Sequence, residues 1–161
     1  MDISNGEGIG VALFTQGCPI HCFNCFNQPL WDYDGGRDWN PEEDTKTILK
    51  LLEPDYIKRI TILGGEPLID RNIEPLTVLL QTIRNIYGQT KKIWMYTGQL
   101  FQTVNSKYPE LIKLVDTLVD GPYIDEQRDY HLRWCGSTNQ RVLDIEDILQ
   151  EPTHICNYKA V

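Results

Sequence analysis

The sequence predicts an α/β fold with a mainly parallel sheet, and three observations predict it. Four short apolar runs alternate with segments whose apolar residues recur at helical spacing. Each run stops abruptly at a turn that carries glycine or proline beside a polar residue. No repeat, low-complexity tract or Ser/Gly-rich linker divides the 161 residues. Alternation of this kind builds βα units, and such sheets collect their ligands at the strands' C-terminal ends. A chain of this length buries one hydrophobic core without disulfide staples.

The first strand is read at residues 11–15, Val-Ala-Leu-Phe-Thr, a buried run that empties directly into a cysteine-bearing loop at residues 16–27. Gly35-Gly36 punctuates a polar loop. Asn40-Pro41-Glu42-Glu43 then supplies an N-cap, a proline at the first helical position and acidic residues behind it. Thr45, Ile48, Leu49 and Leu52 share one face of the helix that starts there, and that face is expected to pack on the sheet. Residues 59–63 form the second strand, stopped by Gly64-Gly65-Glu66-Pro67. Leu76, Leu79, Leu80, Ile83 and Tyr87 mark the next helix, residues 93–96 the third strand, and Thr97-Gly98 its stop. A helix from residue 109 to about 114 and a strand at 117–119, closed by Asp120-Gly121-Pro122, complete the pattern. The chain is expected to be one domain over residues 1–161, with a less ordered tail from about residue 142.

Composition narrows the function classes. The chain is 41% hydrophobic and 24% charged, which suits a folded globular protein. With 15 Lys and Arg against 23 Asp and Glu, the net charge of −8 repels a phosphate backbone, so nucleic acid is not expected as a partner. No apolar run approaches the roughly 20 residues that cross a bilayer, so no membrane association is expected. The first ten residues lack the basic flank and apolar stretch of a signal peptide, and a cytoplasmic location is the expectation. Three of the five cysteines lie within eight positions, while Cys135 and Cys156 stand far away. That is no disulfide framework; in a reducing compartment it points to metal binding or redox chemistry.

Cys18-x3-Cys22-x2-Cys25 brings three thiolates within reach of one centre. A structural zinc site and an ordinary electron-transfer cluster each take four protein ligands, so three cysteines leave one coordination position over. An open position is where a substrate binds. The competing reading is a zinc site completed by His21, Cys135 or Cys156. A thioredoxin-like use of Cys22 and Cys25 is set aside, since that motif opens a helix and leaves Cys18 without a role.

Eight blocks in order now resemble a known family. They are Asn5-Gly6-Glu7-Gly8, residues 14–19 (Phe-Thr-Gln-Gly-Cys-Pro), Cys25-Phe26-Asn27, Trp31, residues 63–68 (Leu-Gly-Gly-Glu-Pro-Leu), residues 93–98 (Ile-Trp-Met-Tyr-Thr-Gly), Val119-Asp120-Gly121-Pro122 and residues 136–141 (Gly-Ser-Thr-Asn-Gln-Arg). The chain resembles the radical S-adenosylmethionine enzymes, and among them the activating proteins of anaerobic ribonucleotide reductase. The resemblance implies a partial (β/α) barrel of the radical S-adenosylmethionine type. It implies a 4Fe-4S cluster on Cys18, Cys22 and Cys25 whose fourth iron is chelated by S-adenosylmethionine. Gly64 and Gly65 would admit the methionine end closely, and Glu66 would accept a hydrogen bond from its amino group. Phe26, and the backbone around Asn24 and Cys25, would neighbour the adenine.

Thr97 and Asp120 follow strands on the same edge, where a hydroxyl and a carboxylate suit a ribose or a carboxylate; Asp120-Gly121-Pro122 reads equally well as a turn whose Asp caps the backbone. Asn139-Gln140-Arg141 offers amides and a guanidinium to a ligand or partner. The implied reaction is reductive cleavage of S-adenosylmethionine to methionine and a 5′-deoxyadenosyl radical, which raises a glycyl radical on the reductase's large subunit. Flavodoxin or a similar low-potential donor would supply the electron. The alternatives are an activase of another glycyl radical enzyme, such as pyruvate formate-lyase, and a noncatalytic metal or iron–sulfur module. The family usually has a strand before the position of Asn5, a basic residue where Gly10 stands and an arginine where Cys135 stands.

Overall fold

A computed structural model describes residues 1–150. Five strands form one sheet in the order β1 (Gly10–Thr15), β2 (Arg59–Gly64), β3 (Lys92–Tyr96), β4 (Thr117–Asp120) and β5 (Arg141–Asp144). The first three pairings are parallel and the last is antiparallel. The helices are α1 (Pro41–Leu52), α2 (Asp70–Tyr87), α3 (Phe101–Lys107), α4 (Pro109–Ile112) and α5 (Ile145–Gln150). The α/β class and the mainly parallel sheet therefore stand as expected.

Alternation along each strand sorts the sheet into two faces. Ile60, Ile62, Ile93, Met95, Leu118 and Leu143 point to one face and pack with Leu52 of α1, Leu79, Leu80 and Ile83 of α2, Val104 of α3, Leu111 of α4 and Ile148 of α5 in the main core. Each fully buried Leu or Ile there contributes about 1.5–3 kcal/mol. The opposite face carries Trp94, Val119 and Val142, joined by Tyr96, Trp134 and Cys135 in a smaller cluster. Trp134 meets Trp94 edge-on at 4.8 Å. All five helices contribute to the first cluster and none to the second.

Arg59 lies on that second face with no exposed surface. Its guanidinium pairs with Asp2 at 2.7 Å and donates to Thr61 Oγ1 and to the carbonyls of Asp2, Glu7 and Gly8. It fills the room above Gly10, its register partner: a Cβ on Gly10 would stand 2.5 Å from one Arg59 nitrogen. A positive charge thus comes from the neighbouring strand in a chain whose own position 10 has no side chain. The chain before β1 makes one antiparallel bridge, between Asp2 and Gly10.

Four differences from the sequence-based expectation have physical causes. Helix α3 was not anticipated, because its first N–H is capped from outside, by Asp120 at 2.7 Å. Helix α4 ends at Ile112, short of residue 114. Strand β5 is antiparallel and very short, and its Arg141, expected to face a ligand or partner, forks onto Asp120 across the sheet. The segment expected to loosen from about residue 142 carries the rest of β5 and α5 as far as 150; Cys156 lies outside the described residues.

Candidate functional site

The cysteine loop is tied at its neck. Gly17, at φ +89°, donates to the carbonyl of Leu30 at 2.9 Å, and Cys18 N–H donates to that of Trp31 at 3.2 Å. Within the loop His21 and Asn24 take left-handed conformations at φ 50° and 55°, a region in which His and Asn are enriched. Cys25 N–H closes back on the carbonyl of Cys22 at 3.0 Å. These turns bring three free thiols onto one loop, near enough for Cys22 to feel the charge of both others and Cys18 that of Cys25.

Of the three sulfurs, Cys25 has a backbone donor in hydrogen-bond geometry, the N–H of Asn27 at 3.3 Å. The backbone N–H groups of Ile20 and His21 near Cys18, and of Tyr123 near Cys22, act to lower those thiols. Burial pushes the Cys18 and Cys22 thiols above their ordinary value, against the pull of these donors. Among the described residues no group of three or more His, Cys, Asp or Glu side chains is close enough to hold a single metal ion. A multi-iron cluster offers each of three thiolates its own iron, where a structural zinc would need a fourth protein ligand. His21, the first choice for a fourth zinc ligand, stacks on Trp31.

The glycine motif and the cysteine loop interlock through backbone. Gly65 N–H donates to Thr15 O at 2.9 Å and Glu66 N–H to Gly17 O at 2.8 Å. Gly64 has φ +120°, and a Cβ there would meet the Thr15 backbone at 2.6 Å; one on Gly65 would meet Gly17 O at 2.4 Å. The fold itself requires both glycines at this crossing.

Glu66 is buried, with Oε1 accepting from Leu68 N–H at 2.9 Å and Thr97 Oγ1–H at 2.7 Å, and Oε2 from Gly98 N–H at 2.8 Å. Burial raises its carboxyl above the usual range despite these bonds. Gly98 also abuts Ile20 of the cysteine loop, whose Cδ1 would stand 2.5 Å from a Cβ. Glu66 therefore joins the turn after β2 to the turn after β3, beneath the cysteines.

A cavity of about 450 Å³ opens beside this junction, at the C-terminal ends of β2 and β3. Gly64, Gly65, Thr97, Gly98 and Phe26 line it, with Cys135 on the opposite wall. The structure thus brings together five of the expected residues or their neighbours. Glu66 and Asp120 lie behind the wall, and Asn24 is turned elsewhere, its amide donating to Asp125 Oδ2 at 2.9 Å. Asp120 is wholly buried and both its oxygens are taken by Arg141 and by Phe101 N–H at the start of α3, not by the backbone of its own turn. Phe26 is 98% exposed. Asn139 and Gln140 bind the turn of Pro122 and Gly121. Burial, with Asp120 adding to it, pushes the Cys135 thiol up to about 11.

Sequence reasoning missed the latch at residues 123–125, where Asp125 accepts from the Asn24 amide of the cysteine loop at 2.9 Å and from the Tyr123 hydroxyl at 2.6 Å. No local pattern announces it, since its partners lie about a hundred residues upstream. It also missed Leu132 and Trp134 in the cavity wall. A larger hollow of about 810 Å³ lies along the C-terminal half of β1, against Tyr33, Arg37 and Arg71. It touches neither the cysteines nor the glycine motif.

Comparison with known proteins points the same way. The 4Fe-4S single cluster domain family matches residues 4–143. Three similar proteins are each named anaerobic ribonucleoside-triphosphate reductase-activating protein. The one from Vibrio cholerae is 33% identical over 141 residues, 87% of this chain and 90% of its own. Those from Haemophilus influenzae and Escherichia coli are 34% and 33% identical, covering 86% and 88% of this chain and 90% and 92% of theirs.

Proposed function

This chain belongs to the 4Fe-4S single cluster domain family and to the anaerobic ribonucleoside-triphosphate reductase-activating proteins, and on that premise we propose that it raises a glycyl radical on the large subunit of an anaerobic ribonucleotide reductase. The observation that carries the reading is three free thiols on one closed loop, next to a cavity walled in part by the glycine backbone of the turn after β2. The donor set fits a 4Fe-4S cluster: soft thiolates suit it, and three of them leave one iron for a ligand. A cluster held there would supply the electron for reductive cleavage of S-adenosylmethionine to methionine and a 5′-deoxyadenosyl radical, and the radical would take hydrogen from a reductase glycine.

Cys18, Cys22 and Cys25 would hold three irons, with the N–H of Asn27 donating to the Cys25 sulfur. Gly64 and Gly65 would form the floor on which the methionine end of S-adenosylmethionine lies. Glu66 would be the acceptor for the ligand's ammonium, its carboxylate fixed behind the glycine floor by Leu68 N–H, Thr97 Oγ1–H and Gly98 N–H. Phe26 offers an open ring to the adenine, and Asn24 shapes the loop around Cys25. Thr97 and Asp120 act as positioning residues, the first through Glu66 and the second through Arg141 and α3. The sheet, with the five described helices on one face, is read as a one-domain partial barrel of the radical S-adenosylmethionine type whose other face looks inward. A donor such as flavodoxin would deliver the electron.

The test is anaerobic reconstitution with iron and sulfide, reduction, and assay for 5′-deoxyadenosine. Product is expected from the unmodified chain, and Cys22→Ala is expected to lose both cluster and product. Uptake of one zinc and no iron would sink the proposal.

A further inference from the structure

Residues 128–137 form a loop that is pinned at its base. Arg128 and Ser137 pair in an antiparallel bridge, Thr138 N–H donates to Gln127 O at 2.9 Å, and His131 N–H turns the tip by donating to Asp129 Oδ1 at 2.8 Å. Trp134 stands in this loop at φ +66°, a conformation that bulky side chains rarely take and that is kept chiefly where a site demands it. Its ring walls the cavity beside the glycine motif, with Trp94 edge-on at 4.8 Å and the Arg133 guanidinium 4.6 Å from the ring centroid. Arg133 is exposed and has no ion pair or hydrogen bond among the described residues, in a chain of net charge −8. Tyr130, at the tip, is 82% exposed, and Phe26, which reaches the same cavity from the cysteine loop, is almost wholly so. Aromatic rings left in water around an open mouth, beside an unpaired arginine, have the composition that dominates protein interfaces.

We propose that the glycine-bearing segment of the reductase's large subunit lies across the mouth of this cavity, between Phe26 and the tip of the 128–137 loop, with a carboxylate of that subunit on Arg133. The inference rests on the activase reading above and names the surface through which that activity is exerted. The hydrogen to be taken belongs to a partner's backbone, so the partner has to reach the cavity, and this rim is what it meets there. A chain of this charge repels acidic surfaces in general, so an unpaired cation at the mouth selects the register in which a partner carboxylate falls on it. Covering the mouth also excludes water from the radical.

The probe is the purified large subunit of the anaerobic reductase from the same organism, mixed anaerobically with reconstituted chains. Arg133→Glu is expected to bind it about tenfold more weakly than the unmodified chain, and Tyr130→Ala several-fold more weakly. Added salt is expected to weaken binding of the unmodified chain. Without reductase, both variants are expected to form 5′-deoxyadenosine at the unmodified rate; below saturation with reductase, both are expected to raise less glycyl radical in EPR. Unmodified affinity in both variants, or an affinity of the unmodified chain that ignores salt, overturns the proposal. So does loss of 5′-deoxyadenosine by Arg133→Glu in the absence of reductase, which assigns the guanidinium to the small-molecule ligand instead. An unmodified chain that forms 5′-deoxyadenosine yet raises no glycyl radical on the large subunit refutes the activase reading itself.

Discussion

Asp2 and Glu66 answer acid in opposite directions. Burial alone would raise Asp2, but hydrogen bonds from Arg59 and from the N–H groups of Ser4 and Asn5 outweigh it and hold the carboxyl below its ordinary value of 3.8. A depressed acid contributes stability that is present above the unfolded value and is lost as pH falls through the folded one. Glu66 is raised by burial, so its ionised form is penalised in the fold, and stability declines as pH climbs above its ordinary 4.5. Urea unfolding at stepped pH is expected to show the stability gap between the unmodified chain and Asp2→Asn shrinking below about pH 4, as protonation of the carboxyl removes what the variant lacks. A gap independent of pH would contradict the Asp2–Arg59 pairing. Gly65 is a second residue-scale test. Gly65→Ala would drive a methyl into Gly17 O and Leu30 O, both backbone, at the neck of the cysteine loop. A loss of about 1–3 kcal/mol is expected in thermal unfolding, with lower iron content after reconstitution.

At the scale of elements, α1 and α3 show what a sequence can announce and what it cannot. Asn40 Oδ1 accepts from Glu42 N–H and Glu43 N–H at 3.1 Å, a cap written within four residues, and α1 begins where the sequence indicates. Helix α3 begins at Phe101 because Asp120, nineteen residues later, accepts its N–H while gripping Arg141 of β5. One carboxylate thus starts a helix and fastens an antiparallel edge strand, and neither is legible locally. Asp120→Asn is expected to cost about 3 kcal/mol in urea unfolding, since it leaves Arg141 without its partner charge. Asn40→Ala, which removes only a local cap, is expected to cost about 1 kcal/mol. The candidate site divides in the same way. Cysteine spacing and the turn after β2 stand in contiguous motifs, whereas the links from Asn24 to Asp125 and from Thr97 to Glu66 exist only once the chain is folded.

At the scale of the molecule, stability and chemistry are housed on different sides of one sheet. The main core is assembled from the helix-bearing face, and none of the three cysteines belongs to it. Removal of iron by a chelator is therefore expected to leave a cooperative thermal transition in circular dichroism, while 5′-deoxyadenosine formation is lost. A non-cooperative apo chain would show that the loop carries the fold. The opposite face also bears on how the sequence can drift. Arg59 occupies the volume that a side chain at position 10 would need, so the two sites are not independent variables. A lineage exchanging glycine for a basic residue at the first must shorten the second at nearly the same time. Mutational history at this end of the sheet is therefore ordered, since a side chain at position 10 is admitted only where the one at position 59 has given up that volume.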